Sequence, residues 1–229
     1  MSPDPAVVVF ADLVGFSALT DAHGDRDAGV VADRLLALTE AALDAGVEVV
    51  KTIGDAVMLR GDEIPPTMET VARLVAAILT EPRYPSVRVG VHVGPVIRRS
   101  GDLFGQTVNV AARLASAAAA GQIVASRPVA AAAGIRFVAD PLGRLTLHNI
   151  ADPVEAFAMR LVDSEVADAH VDPVCRMRLD PSGSHPTRTY VGRAYALCSE
   201  TCAALFDADP DRYADESLGW ASPASSVGD

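Results

Sequence analysis

The chain contains very little lysine. Among 19 lysine and arginine residues, Lys51 is the only lysine. Arginine carries a planar fork of five N–H donors, whereas lysine is a compact donor on a flexible stem. Lys51 ends an apolar run and stands four residues before Asp55, which follows a glycine in a turn-like pair. A single lysine could fall there by chance, but its neighbours favour a position that needs a compact donor.

Positive charge is scarce in general. The sequence has 30 aspartate and glutamate residues, a formal net charge of −11 and a pI of about 4.8. A nucleic-acid surface needs a basic patch, and anionic membranes also attract basic segments. We therefore expect neither nucleic acid nor membrane as a partner. A phosphate ligand would have to be held by local positive charge or by metal ions, against an unfavourable overall field.

Long apolar runs, a signal peptide and a cysteine framework are also missing. The longest alanine-rich stretch, 114–135, is interrupted by polar residues and a proline, so it does not resemble a membrane span. The first residues lack the basic region of a secretory signal, and we expect a cytoplasmic protein. Only three cysteines occur, all in the last quarter of the chain. An odd number favours free thiols or a metal site over disulfides.

The apolar pattern predicts strands alternating with helices over the first two thirds of the chain. Predicted strands cover 6–12, 47–53, 56–59, 87–97, 123–125, 137–147 and 156–161, and predicted helices cover 25–45, 65–80 and 108–120. This order favours an α+β sheet with helices on one face. After it we expect a polar linker at 163–170, a small cysteine-containing unit at 171–214 and a disordered tail at 215–229.

Four motifs in the first region carry residues that suit a metal-dependent reaction on a phosphate ligand. Asp12 ends a buried strand and Asp55 lies in a turn, and two carboxylates with waters and substrate phosphates commonly hold Mg²⁺. Asp102 lies in a Gly-Asp-Leu-Phe-Gly loop, and Asn109 and Arg113 are four apart at a helix start, so they share one face. Each residue alone could be an ordinary cap, turn, helix-start or surface residue. Their joint occurrence favours a site.

Together these motifs resemble the class III nucleotidyl cyclase catalytic domain, the family of adenylyl and guanylyl cyclases. The matching segments are Phe-Ala-Asp-Leu-Val-Gly-Phe, Lys-Thr-Ile-Gly-Asp, Asp-Leu-Phe-Gly and Val-Asn-Val-Ala-Ala-Arg. The resemblance covers residues 6–162 and places the catalytic domain at 1–162. It implies a ferredoxin-like or palm-like βαββαβ sheet with helices on one face.

The resemblance also implies a role for each motif. Asp12, Asp55 and the backbone carbonyl of Leu13 would hold two Mg²⁺ or Mn²⁺ ions per site. Lys51 and Asp102 would read the base of ATP, since a donor and an acceptor suit adenine N1 and N6, whereas guanine presents the reverse pattern.

The remaining motif implies transition-state residues and an oligomer. Asn109 and Arg113 would stabilise the transition state. Domains of this family work as head-to-tail pairs, with the metals from one subunit and the base readers from the other. The resemblance therefore implies a homodimer with two interfacial sites.

The expected phosphate-binding residues depart from the family pattern. The family often has a lysine where His148 stands, in Leu-His-Asn, and an arginine where Gln122 stands. Phosphate affinity would therefore be low unless His148, Arg144 or Arg127 supplies the contact.

The cysteine-containing unit resembles a YHS domain, a small module found on metal-handling proteins. The family usually has glycine where Arg176 stands and phenylalanine where Leu197 stands. The resemblance makes Cys175, Cys198 and Cys202 candidate ligands for Zn²⁺ or Cu⁺. The cysteines alone favour a different interpretation, in which they are small buried core residues.

The sequence thus predicts an adenylate cyclase that makes cyclic AMP and pyrophosphate from ATP, modulated by the metal or thiol state of the YHS unit. The alternative hypothesis is a metal- or redox-sensing nucleotide-binding dimer with little or no cyclase turnover.

Overall fold

The computed structural model describes residues 4–162, 170–180, 183–215 and 217–221. The described residues form two compact units. The first contains 4–14, 30–80 and 86–162, and the second contains 15–29, 81–85 and the described residues from 170 onward. Residues 163–169, most of the predicted linker, lie outside the described residues. Among those described, no helix combines the length and the apolar character that crossing a membrane requires.

The elements alternate along the first 161 residues. The strands are β1 (Asp4–Leu13), β2 (Val47–Ile53), β3 (Ala56–Gly61), β4 (Val87–Arg99), β5 (Asp102–Phe104), β6 (Ile123–Ser126), β7 (Phe137–Leu145) and β8 (Val154–Leu161). The helices are α1 (Phe16–His23), α2 (Asp25–Ala42), α3 (Ile64–Thr80), α4 (Gln106–Ala117) and α5 (Arg127–Ala132).

The eight strands form one mixed sheet in the first unit. Its order is β2-β3-β1-β4-β6-β8-β7, with β5 paired to the end of β4. Strand β1 is antiparallel to both β3 and β4, and β4 is parallel to β6. The predicted α+β architecture is confirmed.

Helices cover both faces of the sheet at β1, rather than the one face expected from the sequence. Val8 and Phe10 belong to a core cluster that includes Ala111 and Ala115 of α4. Val7, which points to the opposite face, is also fully buried. Its register partner Gly61 lies so close to α3 that a Cβ there would be 1.8 Å from Thr67 Oγ1. We call the side that carries α4 the α4 face.

Two elements of the first 105 residues were absent from the sequence prediction. Residues 98–105 were expected to be a loop, but they contain β5, because a tight turn with left-handed Ser100 and Gly101 folds Asp102–Phe104 back onto β4. Helix α1 has eight residues and buries only Leu19, so its apolar periodicity is too weak to identify it.

The second unit contains a small sheet and two helices besides α1. Its elements are β9 (Thr187–Tyr190), β10 (Arg193–Ala196), β11 (Trp220–Ala221), α6 (Glu200–Ala208) and α7 (Pro210–Tyr213), with sheet order β11-β10-β9. Strand β11 lies in the range for which composition predicted a disordered tail. The Trp220 ring stacks on His170 at a centroid distance of 4.2 Å, which adds aromatic packing to this short strand.

The packing of α4 depends on a glycine in β4. A Cβ at Gly90 would lie 2.2 Å from the backbone oxygen of Ala111 and from the backbone nitrogen of Ala115. Gly90→Ala should therefore destabilise the protein by about 1–3 kcal/mol, as overpacking does. Gly29→Ala is the matched control, because Gly29 lies exposed within α2 with no atom close to its missing Cβ. That change should stabilise by about 0.5–1 kcal/mol. Thermal unfolding of both variants checks this, and a shift of Tm in the same direction for both would contradict it.

Candidate functional site

Asp12 and Arg88 form the first part of the site. They are register partners on β1 and β4, and both point to the α4 face. Arg88 donates to Asp12 Oδ2 from Nε at 2.6 Å and from Nη2 at 2.5 Å. The Asp12 side chain is only 20% exposed. The carboxylate is thus held by a guanidinium at the end of a buried strand.

Asp55 lies in the turn between β2 and β3, close to Asp12. The Leu13 N–H donates to the Asp55 backbone carbonyl at 3.3 Å, which ties the turn to the end of β1. Burial raises the pKa of the Asp55 carboxyl above its usual range, the charge of Asp12 raises it further, and Arg88 partly opposes both. Two carboxylates therefore influence each other at one edge of the sheet.

This arrangement fits a hard divalent cation. Carboxylate oxygens are the ligands that Mg²⁺ and Mn²⁺ prefer. A cation between Asp12 and Asp55 would offset both the repulsion and the burial that disfavour two ionised carboxylates. The fit rests on the donor set, two neighbouring carboxylates of which Asp12 already pairs with a positive group, and on the raised pKa of Asp55.

Lys51 and Asp102 form a second pair. Lys51 Nζ donates to Asp102 Oδ2 at 2.5 Å, and the Leu103 N–H donates to the other carboxylate oxygen at 2.8 Å. The two side chains are 39% and 29% exposed, so the pair is accessible to a ligand. A point donor and an acceptor thus lie side by side.

A β-bulge gives Lys51 its orientation. Val49 pairs with Leu59 but Lys51 pairs with Met58, so Val50 is an extra residue in the strand. Without it, Lys51 would share the face of Val49, because side chains alternate along a strand. The bulge turns Lys51 to the α4 face while Val50 packs into the core cluster there.

Asn109 and Arg113 lie one turn apart on α4, and both are exposed. The helix is fixed on β4 by its contact at Gly90 and by the Thr107 hydroxyl, which donates to the Pro95 carbonyl at 2.8 Å. In the described part of the chain, no hydrogen bond or ion pair joins the Asp12–Arg88 pair to the Lys51–Asp102 pair. The structure thus brings each pair together without a direct polar link between the two pairs.

Arg88 is the site residue that sequence reasoning missed. Its signal was a charged residue inside an otherwise apolar, valine-rich strand, and its partner can be identified only from the β1–β4 register.

The residues that the sequence suggested for phosphate contact lie outside the Asp12–Arg88 and Lys51–Asp102 pairs. Arg144 and His148 are exposed, and Arg127 forms an ion pair with Glu155 at 3.1 Å. Gln122 accepts a hydrogen bond from the Ala119 N–H within its own turn.

The three cysteines of the second unit lie together. Cys198 Sγ is 3.6 Å from Cys175 Sγ and 3.5 Å from Cys202 Sγ. Cys175 and Cys202 are buried, and Cys198 is partly exposed. Hydrogen bonds with the other two sulfurs lower the pKa of the Cys198 thiol. A fourth group, the imidazole of His23, lies in the same cluster, and no sequence motif had pointed to it.

Comparison with known proteins agrees with both regions. The family described as "Adenylate and Guanylate cyclase catalytic domain" matches residues 2–159, which is more than half of the chain. The chain belongs to this cyclase family. The YHS domain family matches residues 170–217. The two-domain organisation expected from the sequence is confirmed.

Several curated relatives of the cyclase domain are named adenylate cyclases, and one is named a membrane guanylyl cyclase. A pH-sensitive adenylate cyclase of Mycobacterium tuberculosis is 37% identical over 158 residues, which cover 67% of this chain and 40% of that protein. An adenylate cyclase of Streptomyces coelicolor is 40% identical over 113 residues, covering 48% and 29%. The chain thus spans less than half the length of these relatives.

Solved structures share the fold. The guanylate cyclase domain from Catenaria anguillulae in complex with GTP superposes with a TM-score of 0.62 at 22% identity, covering 70% of this chain and 98% of that one. The cyclase fold therefore does not by itself decide between ATP and GTP.

The Lys51–Asp102 contact generates a pH prediction. The hydrogen bond from Lys51 is the largest cause that holds the pKa of Asp102 below its usual range. In Lys51→Met the pKa of Asp102 should rise toward the ordinary value of about 3.9. An NMR pH titration of the carboxyl carbons measures this. Asp215 is the control, because Ser217 lowers its pKa and Lys51 does not contact it. An unchanged Asp102 titration would show that the pair does not exist in solution.

Proposed function

We propose that this protein is an adenylate cyclase that converts ATP to 3′,5′-cyclic AMP and pyrophosphate. The observation that carries the proposal is the pairing of a lone lysine with Asp102 on the same sheet face as the Asp12–Arg88 pair. Lys51 would donate to adenine N1 and Asp102 would accept from the N6 amino group. Guanine would leave both groups mismatched, which is the kind of polar mismatch that discriminates strongly.

In the proposed reaction the ribose 3′-oxygen attacks the α-phosphorus, and the bond from that phosphorus to the bridging oxygen of pyrophosphate breaks. Asp12, Asp55 and the Leu13 carbonyl would hold two Mg²⁺ or Mn²⁺ ions. When bound, these ions make the hydroxyl a better nucleophile and neutralise the leaving group. Arg113 would meet the charge that develops on the α-phosphate, and Asn109 would hold the ribose. Loss of such a preorganised donor commonly costs about 3–4 kcal/mol.

Arg88 supplies positive charge near the proposed metal ligands. The sequence alone suggested that this charge was missing, because Gln122 and His148 stand at expected basic positions. Arg88 is anchored on a buried strand beside Asp12, so its guanidinium needs little reorganisation to contact a phosphate oxygen. We therefore assign phosphate binding to Arg88 rather than to Arg144 or His148, which are exposed.

The proposed active unit is a homodimer with two shared sites. Within one chain no hydrogen bond or ion pair among the described residues joins the Asp12–Arg88 pair to the Lys51–Asp102 pair, although Asp12 and Lys51 lie on the same face of the sheet. A head-to-tail pair would complete each site from two chains. Lys51 and Asp55 of one chain would then serve opposite sites.

Product formation from Mn²⁺-ATP and Mn²⁺-GTP tests the function, and chain mixing tests the shared site. Wild-type protein should form cyclic AMP, with far less product from GTP, and Lys51→Ala and Asp55→Ala chains should each be nearly inactive. A mixture of these two should regain about a quarter of wild-type activity, because half of the dimers then carry one complete site.

Lys51→Ala mixed with Asp102→Ala is the matched control for chain mixing. These two residues pair within one chain, so no mixed dimer can contain a complete base reader, and activity should stay low. Equal recovery in both mixtures would contradict the shared-site arrangement. No product from either nucleotide, with ATP still bound, would instead support the alternative of a metal- or redox-sensing nucleotide-binding dimer.

The second part of the proposal is that the YHS unit modulates the cyclase. Its support is that residues 15–29 and 81–85, which adjoin the strands of Asp12 and Arg88, belong to the same compact unit as the YHS residues. Zn²⁺ added to chelator-treated full-length protein should change cyclase activity at saturating Mn²⁺. The same addition should have less effect on Cys198→Ser, which controls for Zn²⁺ at the active site. Identical responses of the two proteins would rule this part out.

A further inference from the structure

The cysteine cluster contains a residue from the cyclase segment. His23 is the last residue of α1 and lies within residues 2–159, which match the cyclase family. The three cysteines lie within the YHS match at 170–217. All four nevertheless belong to the same compact unit. His23 Nε2 is 3.5 Å from Cys198 Sγ and 3.6 Å from Cys202 Sγ.

The four ligand atoms have the spacing of a tetrahedral metal site. Zn²⁺ binds sulfur at about 2.3 Å and imidazole nitrogen at about 2.0–2.1 Å, so a tetrahedron around it separates two sulfurs by about 3.8 Å and sulfur from nitrogen by about 3.5–3.6 Å. The two short sulfur–sulfur distances here are 3.5 and 3.6 Å. All four atoms lie within 4.8 Å of one another. Small shifts of the four ligand atoms around a bound ion would complete the tetrahedron.

A fully buried aspartate fixes the backbone around these ligands. Asp172 accepts hydrogen bonds from the Cys198 N–H at 2.6 Å through one oxygen, and from the Val174 and Cys175 N–H groups at 2.7 and 3.2 Å through the other. Ser199 caps α6 by accepting from the Cys202 N–H at 3.2 Å. Such outer partners orient metal ligands before the ion binds.

The cyclase segment is attached to the YHS residues at two further places. Gly15 has a left-handed backbone, and a Cβ there would lie 2.4 Å from Cγ of Arg176, so these two segments of the chain pack directly. The guanidinium of Arg178 donates to the carbonyl oxygens of Tyr84 and Glu81 at 3.4 and 3.3 Å. The position of His23 is therefore part of a built interface within this unit.

We propose that His23 is the fourth ligand of a closed Cys3His site for Zn²⁺, completed by the cyclase segment rather than by the YHS residues alone. Cys3His is one of the ligand sets of structural zinc sites. An imidazole beside three thiolates favours Zn²⁺ over an ion held by thiolates only. A core made of small hydrophobic cysteines would have no need of an imidazole nitrogen aimed at two of the sulfurs.

One ion would therefore link residues of the two family domains. The link would run through α1, the helix that follows the proposed metal ligands Asp12 and Leu13 in the sequence. Helix α1 begins three residues after Leu13. Binding of the ion would fix the end of α1, and with it the segment that leaves β1. Because the thiols must lose their protons, binding would also release protons.

Metal binding by the full-length protein tests the proposal. Chelator-treated, reduced protein with three free thiols is titrated with Co²⁺, and the Co²⁺ is then displaced by Zn²⁺. Wild type should bind one Co²⁺ with the intense visible d–d and thiolate charge-transfer absorption of a tetrahedral site. His23→Ala should weaken Zn²⁺ affinity by at least about tenfold, because loss of a residue that only orients a metal ligand already costs about that much. The variant should also change the d–d bands.

Two further variants keep the result interpretable. His23→Gln preserves a polar side chain and should behave like His23→Ala, which separates a lost ligand from a packing defect. His185→Ala is the control, because His185 is partly exposed in the same unit and contacts the Asp180 carbonyl instead of the cluster. It should bind as wild type does. An unchanged Co²⁺ spectrum and Zn²⁺ affinity in His23→Ala would overturn the assignment of His23, and absence of Co²⁺ binding by reduced wild type would overturn the site itself.

Discussion

Strand β1 lies between β3 and β4, and these two antiparallel pairings determine which side chains reach the candidate active site. The register with β4 sets Arg88 opposite Asp12, and the register with β3 carries Asp55 to the same strand end. The same alternation buries Phe10 beneath α4. A slip of one residue would exchange the two faces of β1, and it would move Phe10 out of the cluster beneath α4 and Asp12 away from Arg88. Hydrophobic burial and placement of the carboxylate are therefore one constraint.

Two local departures from regular structure bring the remaining residues to that face. The extra residue in β2 turns Lys51 toward Asp102, and the absence of a side chain at Gly90 lets α4 approach the sheet closely enough to carry Asn109 and Arg113. Both features disturb the regular structure of the strand in which they occur. A bulge breaks one step of a ladder, and a glycine weakens a strand. Their location beneath site residues agrees with the tendency of such irregularities to occur near functional sites.

Much of the cyclase domain could be predicted from the sequence because its strands are strongly apolar and its motifs lie at their ends. The residues that could not be predicted are those whose role depends on a distant partner. The role of Arg88 can be recognised only from its register with Asp12. The role of His23 can be recognised only from its contact with a cysteine 175 positions later in the chain. Trp220 shows a similar limit. Composition around it suggested disorder, yet its ring stacks on His170 and the chain forms β11.

The two ion pairs of the site explain why it uses one lysine among so many arginines. Arg88 holds Asp12 with two nitrogen donors, a rigid arrangement that suits a carboxylate kept in place on a buried strand. Lys51 meets Asp102 through a single ammonium group, and both side chains are partly exposed. Partly exposed pairs of this kind contribute little to stability, so under the proposed function a purine edge would replace the contact with little loss. An arginine at 51 would form a fork with Asp102 that is harder to open, and it would place several donors where the proposed contact with adenine N1 needs one. Under the proposed function, the only lysine of the sequence thus stands in the one ion pair of the site that a ligand would have to replace.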